Sequence, residues 1–244
     1  MIRILLAFII YLPTIITSEP SASIQPRYGL AMAVVECADL SALNVDLYHT
    51  WGPRPSCPGV DFVPMLWTGL PEPGLDANYT GWILVMNEPD NPRQLNISPS
   101  EAARRMAITR AHYPNAELLC CGTLSYHPDW LAEFVSYGEV PDLWHYHAFV
   151  EGPFSVEDIQ AQLEQMHAIT GGEVWITEYA VLSGDLADFQ ALTGWMASQP
   201  WITVIMPYTN RQVSGEWWAI DPRVELVLPD SSLTPTGAWF RDFR

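Results

Sequence analysis

Gly81-Trp82-Ile83-Leu84-Val85-Met86-Asn87-Glu88-Pro89-Asp90 is followed, after a short link, by Ser98-Pro99-Ser100-Glu101-Ala102-Ala103. The first stretch is a continuous apolar run that closes on an acid. The second reads as a helix start. Ser98 caps, Pro99 suits the first turn, and Glu101 completes a capping box. The helix is expected to run over 102–112 and to stop before Pro114. A second apolar run, 116–121, comes next. Similar runs lie at 28–35, 45–49, 61–66, 143–147, 173–177 and 202–207, which makes eight. Several are unbroken Val/Ile/Leu runs rather than alternations, as parallel strands covered on both faces require. Further helices are expected over 127–137, 185–198 and from Ser155-Val156-Glu157-Asp158 to about Thr170, where Gly171-Gly172 ends it. The links after the second and third strands are too short or too rich in Pro and Gly for full helices. Strand and helix in alternation define an α/β fold, and eight strands in this length fit a compact (β/α)8 TIM barrel with trimmed outer helices. A doubly wound open sheet is the alternative, but no Gly-x-Gly-x-x-Gly follows the first strand. Neither repeat nor linker interrupts the pattern, so residues 23–244 read as one domain.

The chain of 244 residues carries 11 Lys and Arg against 28 Asp and Glu, a net charge of −17. That balance argues against a phosphate backbone as partner, since such binding runs on Lys and Arg. It equally disfavours an anionic membrane surface, and neutral substrates remain. Eleven tryptophans are several times an ordinary share, and indole faces suit sugar rings as well as cores.

Met1-Ile2-Arg3 is a short positive start, 4–17 is almost wholly apolar, and Ser18 to Ser23 is small and polar. This is the layout of a secretory signal peptide, assigned to residues 1–22. The apolar run falls short of the roughly 20 residues that span a bilayer, with an uncleaved anchor as the alternative. A secreted, extracellular protein is expected, free of the membrane once the signal is removed. Export permits disulfides. Cys37 and Cys57 lie in polar or Pro-rich stretches and could join two loops. Cys120 and Cys121 are adjacent; on a strand they would point to opposite faces, so at least one is expected to be a buried free thiol.

Two strand ends carry acids. The fourth run leads into Asn87-Glu88-Pro89, and the seventh into Thr177-Glu178-Tyr179. In an eight-stranded barrel both positions face the mouth where active sites sit. Two carboxyls across one cleft are the minimum for cleaving a glycosidic bond, one holding a proton with a raised pKa and the other ionised. On the sixth strand, His145 and His147 share one face, expected to be the inner one. Their spacing also suits a metal pair. A zinc site would need further partners, however, and no metal or cofactor is expected.

Phe62-Val63-Pro64-Met65-Leu66-Trp67, Asn87-Glu88-Pro89-Asp90, Ser98-Pro99-Ser100-Glu101-Ala102-Ala103 and Trp175-Ile176-Thr177-Glu178-Tyr179-Ala180, in that order, resemble glycoside hydrolase family 128. The resemblance implies an endo-acting β-1,3-glucanase on a small (β/α)8 barrel. It implies Glu88 as general acid/base, Glu178 as nucleophile of a retaining double displacement, and Asn87 as the contact to the sugar 2-hydroxyl. Pro89 and Asp90 read as structural. The stretch from Asp142 to Phe149 resembles the family's Asp…His-Trp-Tyr segment. His147 is its sugar-contacting histidine if Asp142 fixes the register, and His145 if the count runs back from Phe154. Trp67 matches a subsite platform, Tyr208 takes the stacking role on the eighth strand, and Tyr48, His49 and Trp51 resemble the family's Tyr-Tyr-Asn-Trp. Trp217 and Trp218 follow a turn at Ser214-Gly215 and take no place in the resemblance. The implied partner is a β-glucan polysaccharide, with the protein acting as a monomer. The alternative is a β-glucan-binding protein on the same barrel without turnover.

Overall fold

The structure, a computed structural model, describes residues 25–212 and 221–243. The signal segment 1–22, the turn at Ser214-Gly215, and Trp217 and Trp218 lie outside them. In chain order the elements are β1 (Arg27–Ala31), α1 (Cys37–Leu43), β2 (Leu47–His49), β3 (Asp61–Val63), β4 (Met65–Leu66), β5 (Trp82–Val85), α2 (Pro99–His112), β6 (Glu117–Leu124), α3 (Pro128–Ser136), β7 (Leu143–Val150), α4 (Val156–Thr170), β8 (Val174–Val181), α5 (Leu186–Ser198), β9 (Ile202–Pro207) and α6 (Pro235–Asp242). The strands pair in parallel in the order β3-β2-β1-β9-β8-β7-β6-β5-β4. β3 and β4 are halves of the expected third strand, parted by Pro64. The first half pairs with β2 and the second with β5, so the third strand closes the barrel.

Strand alternation sorts the core into two layers. Leu47, Val63, Met65, Leu84, Leu119, Trp175, Val204 and Met206 fill the barrel interior. Between strands and helices lies the larger cluster, with Leu118, Ile83, Ile176 and Ile205 facing Met106, Leu131, Phe134, Ile159, Leu163, Leu192 and Met196. Each such fully buried aliphatic side chain contributes about 1.5–3 kcal/mol of transfer free energy. Helix ends follow the sequence. Ser155 and Asp158 make a reciprocal capping box on α4, and Ser98 accepts from the Glu101 amide on α2. The second half of the box expected at α2 is not formed. The Glu101 carboxylate turns instead to Arg104 and Arg105, each at 2.7 Å, because two guanidiniums at i+3 and i+4 outcompete one backbone amide.

The cysteines depart from expectation in two ways. Cys37 begins helix α1 rather than lying in a loop, and it bonds Cys57 in the segment between β2 and β3. The Tyr48 hydroxyl holds that segment, accepting from the Ser56 and Cys57 amides. Cys120 and Cys121 are bonded to each other, and the described residues contain no free thiol. The alternation argument assumed a regular strand, but the pairing of β6 with β7 shifts register between Cys121 and Thr123. Among the described residues no helix is long and apolar enough to cross a membrane.

Candidate active site

β5 ends in a backbone kink. Met86 and Glu88 both adopt left-handed φ, 71° and 43°, a conformation rare for residues with a side chain and concentrated at functional sites. Asn87 donates its amide to the Trp67 carbonyl, and Glu88 donates its own to Gly122. The kink thus fixes the side chains of Asn87 and Glu88 over the mouth. Gly122 (φ 64°) is required where it stands: a Cβ there would lie 3.0 Å from His145 and 3.2 Å from both His147 Nε2 and the Met86 carbonyl. Asp90 is structural, as expected. It accepts from the Leu124 amide and from His127 Nδ1 at 2.6 Å, tying the kink to β6 and α3.

Glu178 lies within β8, opposite His147 of β7. Register shifts flank it, between Tyr146 and His147 against β7 and between Ile176 and Tyr179 against β9. Such irregularities re-aim side chains beside active sites. Glu178 Oε1 accepts the Trp51 indole N–H at 3.0 Å and lies 3.3 Å from His147 Nε2. His147 Nδ1 faces Glu88 Oε1 at 3.0 Å, and the Asn91 amide bonds the other Glu88 oxygen. One side-chain atom from each of Glu88, His147 and Glu178 lies within 4.8 Å of the other two. Among the described residues this is the cluster with the donor types to hold a metal ion.

The electrostatics follow from burial. Burial pushes the Glu178 carboxyl up to about 7; His147 opposes the rise, the negative charge of Glu88 adds to it, and the Trp51 N–H opposes it. The sequence argument expected one raised carboxyl in the pair, and Glu178 is raised. The Glu178 hydrogen bond comes from Trp51 alone among the described residues, so its burial is little compensated. Burial pulls the His147 imidazole down, but Glu178, Glu88 and Asp90 outweigh it and leave His147 above its ordinary value. Deeper in the barrel, burial lowers His49 to about 4 and His145 well below the usual range. Both are neutral at ordinary pH. They grip Thr177, the residue before Glu178: His49 Nε2 at its carbonyl, 2.9 Å, and His145 Nδ1 at its hydroxyl, 2.9 Å.

A cleft of about 570 Å³ opens above the acids. Of the residues singled out in the sequence, Glu88, Glu178, Asn87, Trp67 and Tyr208 line it. His147 forms its base between the two acids. His145 is not part of it: the side chain is fully buried and spent on Thr177. Asn87 is 2% exposed, and its amide oxygen has no hydrogen-bond partner among the described residues. Sequence reasoning missed Asn91, Arg93 and Gln94 after β5, Tyr126 after β6, Glu151 after β7 and Leu182 after β8, all in the cleft wall. Their signal was position, since loops that follow barrel strands form the mouth.

Two carboxyls from separate strands, meeting in one cleft at the carboxyl end of a parallel barrel, define a glycoside hydrolase. The chain belongs to the glycosyl hydrolase catalytic core family, whose model matches residues 29–240. Its fold is that of solved structures from glycoside hydrolase family 128. A subgroup I endo-β-1,3-glucanase from Amycolatopsis mediterranei in complex with laminaritriose is 17% identical, covering 88% of this chain and 98% of that one, with a TM-score of 0.68. A subgroup II endo-β-1,3-glucanase from Sorangium cellulosum is 21% identical over 88% and 97%, with a TM-score of 0.66. A subgroup III curdlan-specific exo-β-1,3-glucanase from Blastomyces gilchristii in complex with glucose is 20% identical over 88% and 97%, with a TM-score of 0.68. No curated protein matches the chain.

Proposed function

We propose that the protein is a secreted, retaining endo-β-1,3-glucanase. One observation carries the mechanism: a carboxylate oxygen of Glu88 and one of Glu178 lie within 4.8 Å of each other. Retaining enzymes hold their carboxyls about 5–5.5 Å apart, whereas inverting ones need about 6.5–9.5 Å to admit a water. In the first step the Glu178 carboxylate attacks the anomeric carbon and forms a glycosyl ester, while Glu88 gives its proton to the departing glycosidic oxygen. In the second, Glu88 takes a proton from water as the water oxygen attacks the same carbon and releases Glu178. Both steps invert, so the configuration is kept.

The surroundings fit these roles. The Trp51 N–H favours charge on Glu178 and leaves it aimed from β8. The unmet Asn87 oxygen is an acceptor for a sugar hydroxyl, and a contact of that kind at the 2-position aids cleavage when it strengthens in the transition state. Trp67 and Tyr208 offer aromatic surface on the cleft walls. The solved relatives bind laminari-oligosaccharides or glucose, which supports a β-1,3-glucan as substrate. Endo action is the reading of the sequence blocks, and the relatives include both endo and exo enzymes. The positive start, the apolar run 4–17 and the small polar stretch that follows support export with removal of residues 1–22.

Incubation with laminarihexaose, followed by product masses and by proton NMR of the first-formed anomer, tests the proposal. Several internal products with β configuration are expected. Release of glucose alone overturns endo action, first-formed α product overturns retention, and binding without any cleavage leaves a glucan-binding protein.

A further inference from the structure

The contact between His147 and Glu178 lacks something. His147 Nδ1 is 3.0 Å from Glu88 Oε1, and a ring N–H donated there leaves Nε2 of the neutral ring as a bare lone pair. That nitrogen is fully buried and makes no hydrogen bond among the described residues, yet Glu178 Oε1 stands 3.3 Å away. Two acceptors at that distance repel unless a positive centre lies between them. A proton can serve, and so can a cation. Ligands about 2.0–2.1 Å from a tetrahedral zinc ion stand roughly 3.3–3.4 Å from each other, the edge of that tetrahedron. The outer arrangement fits as well, since a histidine that binds a metal ordinarily donates its other ring N–H to a carboxylate, here Glu88.

We propose that His147 Nε2 and Glu178 Oε1, supported by Glu88, form a binding site for a divalent transition cation such as Zn²⁺, and that its occupancy shuts off the catalytic pair. The mixed nitrogen and oxygen donors favour Zn²⁺ or Cu²⁺ over Mg²⁺ or Ca²⁺, which take oxygen ligands. Glu88 and Glu178 line the cleft above, so water can reach the ion from the Glu178 side, and the net charge of −17 draws cations to the molecule. An ion held there ties up the Glu178 oxygen that must attack carbon and fixes the histidine that touches Glu88. The binding site stands without the glucanase reading; the inhibitory consequence rests on it.

The test is calorimetric titration of the EDTA-stripped protein with ZnCl₂, without sugar. One ion per chain is expected, weakened by about tenfold or more in Glu178→Gln and in His147→Asn, each checked by circular dichroism. Glu151→Gln alters a cleft carboxylate outside the cluster and should match wild type. No binding, or binding weakened less than that in both variants, overturns the proposal. Should neither variant fold, Co²⁺ on the wild type decides: intense visible bands of a four-coordinate site support it, and a weak featureless spectrum overturns it. Zn²⁺ suppression of laminarin hydrolysis, reversed by EDTA, is read separately. A protein that binds Zn²⁺ and never cleaves laminarin keeps the site and loses the proposed function.

Discussion

The indole N–H of Trp51 reaches Glu178 Oε1 at 3.0 Å and so joins the loop after β2 to β8 across the barrel mouth. The bond opposes the rise in the Glu178 pKa. Hydrogen bonds to charged groups are worth about 1.5–3 kcal/mol. Trp51→Phe keeps an aromatic wall and loses the donor. A fall in kcat/KM of about 10- to 100-fold is expected from that range, with the limbs of the pair's pH profile moved to higher pH. An unmoved limb would show that the bond does not hold the ionised form.

The two acids should fail in different ways. Glu178→Gln removes the nucleophile and should cost several orders of magnitude in turnover, with oligosaccharide binding kept. Glu88→Ala should be partly restored by azide on a substrate with a good leaving group, giving a glycosyl azide of retained configuration. Retained azide product from a Glu178→Ala variant, and none from Glu88→Ala, would exchange the two roles.

Activity should follow a bell-shaped pH profile centred on the acid side of neutral. The pair must hold one proton, and burial with the neighbouring Glu88 charge pushes the Glu178 carboxyl up to about 7, so the pair's last proton leaves near there. Because the sites interact, the limbs belong to the pair rather than to either residue. The alkaline limb of kcat/KM is therefore expected near 7, and a plateau reaching well into alkaline pH would contradict this account.

The same shift affects stability. The Glu178 carboxyl ordinarily titrates at 4.5 and in the fold at about 7. A raised carboxyl stabilises the fold below the ordinary value, and that contribution is lost as pH rises through about 7. Glu178→Gln never ionises. It should therefore be more stable than wild type above pH 7, by up to about 3 kcal/mol, with little difference near pH 4. Thermal melts at the two pH values check this; equal gaps at both would remove burial of the charge as the cause.

The Cys37–Cys57 bond spans 20 residues of sequence. Closing a loop of that size stabilises by about 3 kcal/mol through the unfolded chain. The double variant Cys37→Ala, Cys57→Ala should melt roughly 6–12 °C lower. Trp51 lies inside the closed loop, so some activity should be lost below the melt as well. An unchanged melting temperature would mean that Tyr48 and its hydrogen bonds hold the segment alone.

The barrel was legible because parallel strands covered on both faces leave continuous apolar runs. Each of the eight expected runs overlaps a strand, and α2, α4 and α5 follow the caps at Ser98, Ser155 and Asp185, while α3 starts at Pro128 without a side-chain cap. Strand ends were less legible where function intrudes. The sixth and seventh runs were read as ending at His147 and Thr177, yet β7 and β8 continue to Val150 and Val181. Polar residues inside a barrel look like the end of a strand in sequence. Helix α1 was missed because it is seven residues long and stands in an acidic stretch. The acids and Asn87 were legible from position and resemblance. The choice between His145 and His147 was not: alternation puts both inward, and only depth separates them. The proton distribution was also out of reach, since it depends on which carboxyl meets which donor.

Pro64 gives the barrel an unusual closure. The hydrogen-bonded sheet is a ribbon of nine strands whose outermost members, β3 and β4, are separated in sequence by this single residue. Pro64 has no N–H to donate, and its carbonyl accepts from Leu84. The circumference is therefore completed partly by covalent bonds. If the ladder at this seam breathes, the two strand ends remain within about two Cα–Cα steps of 3.8 Å each and cannot drift apart. Exposed sheet edges are templates on which other chains pair and aggregate. Here the edges are leashed to each other, so the ribbon has no loose border to offer a second molecule while the rest of the barrel stays folded.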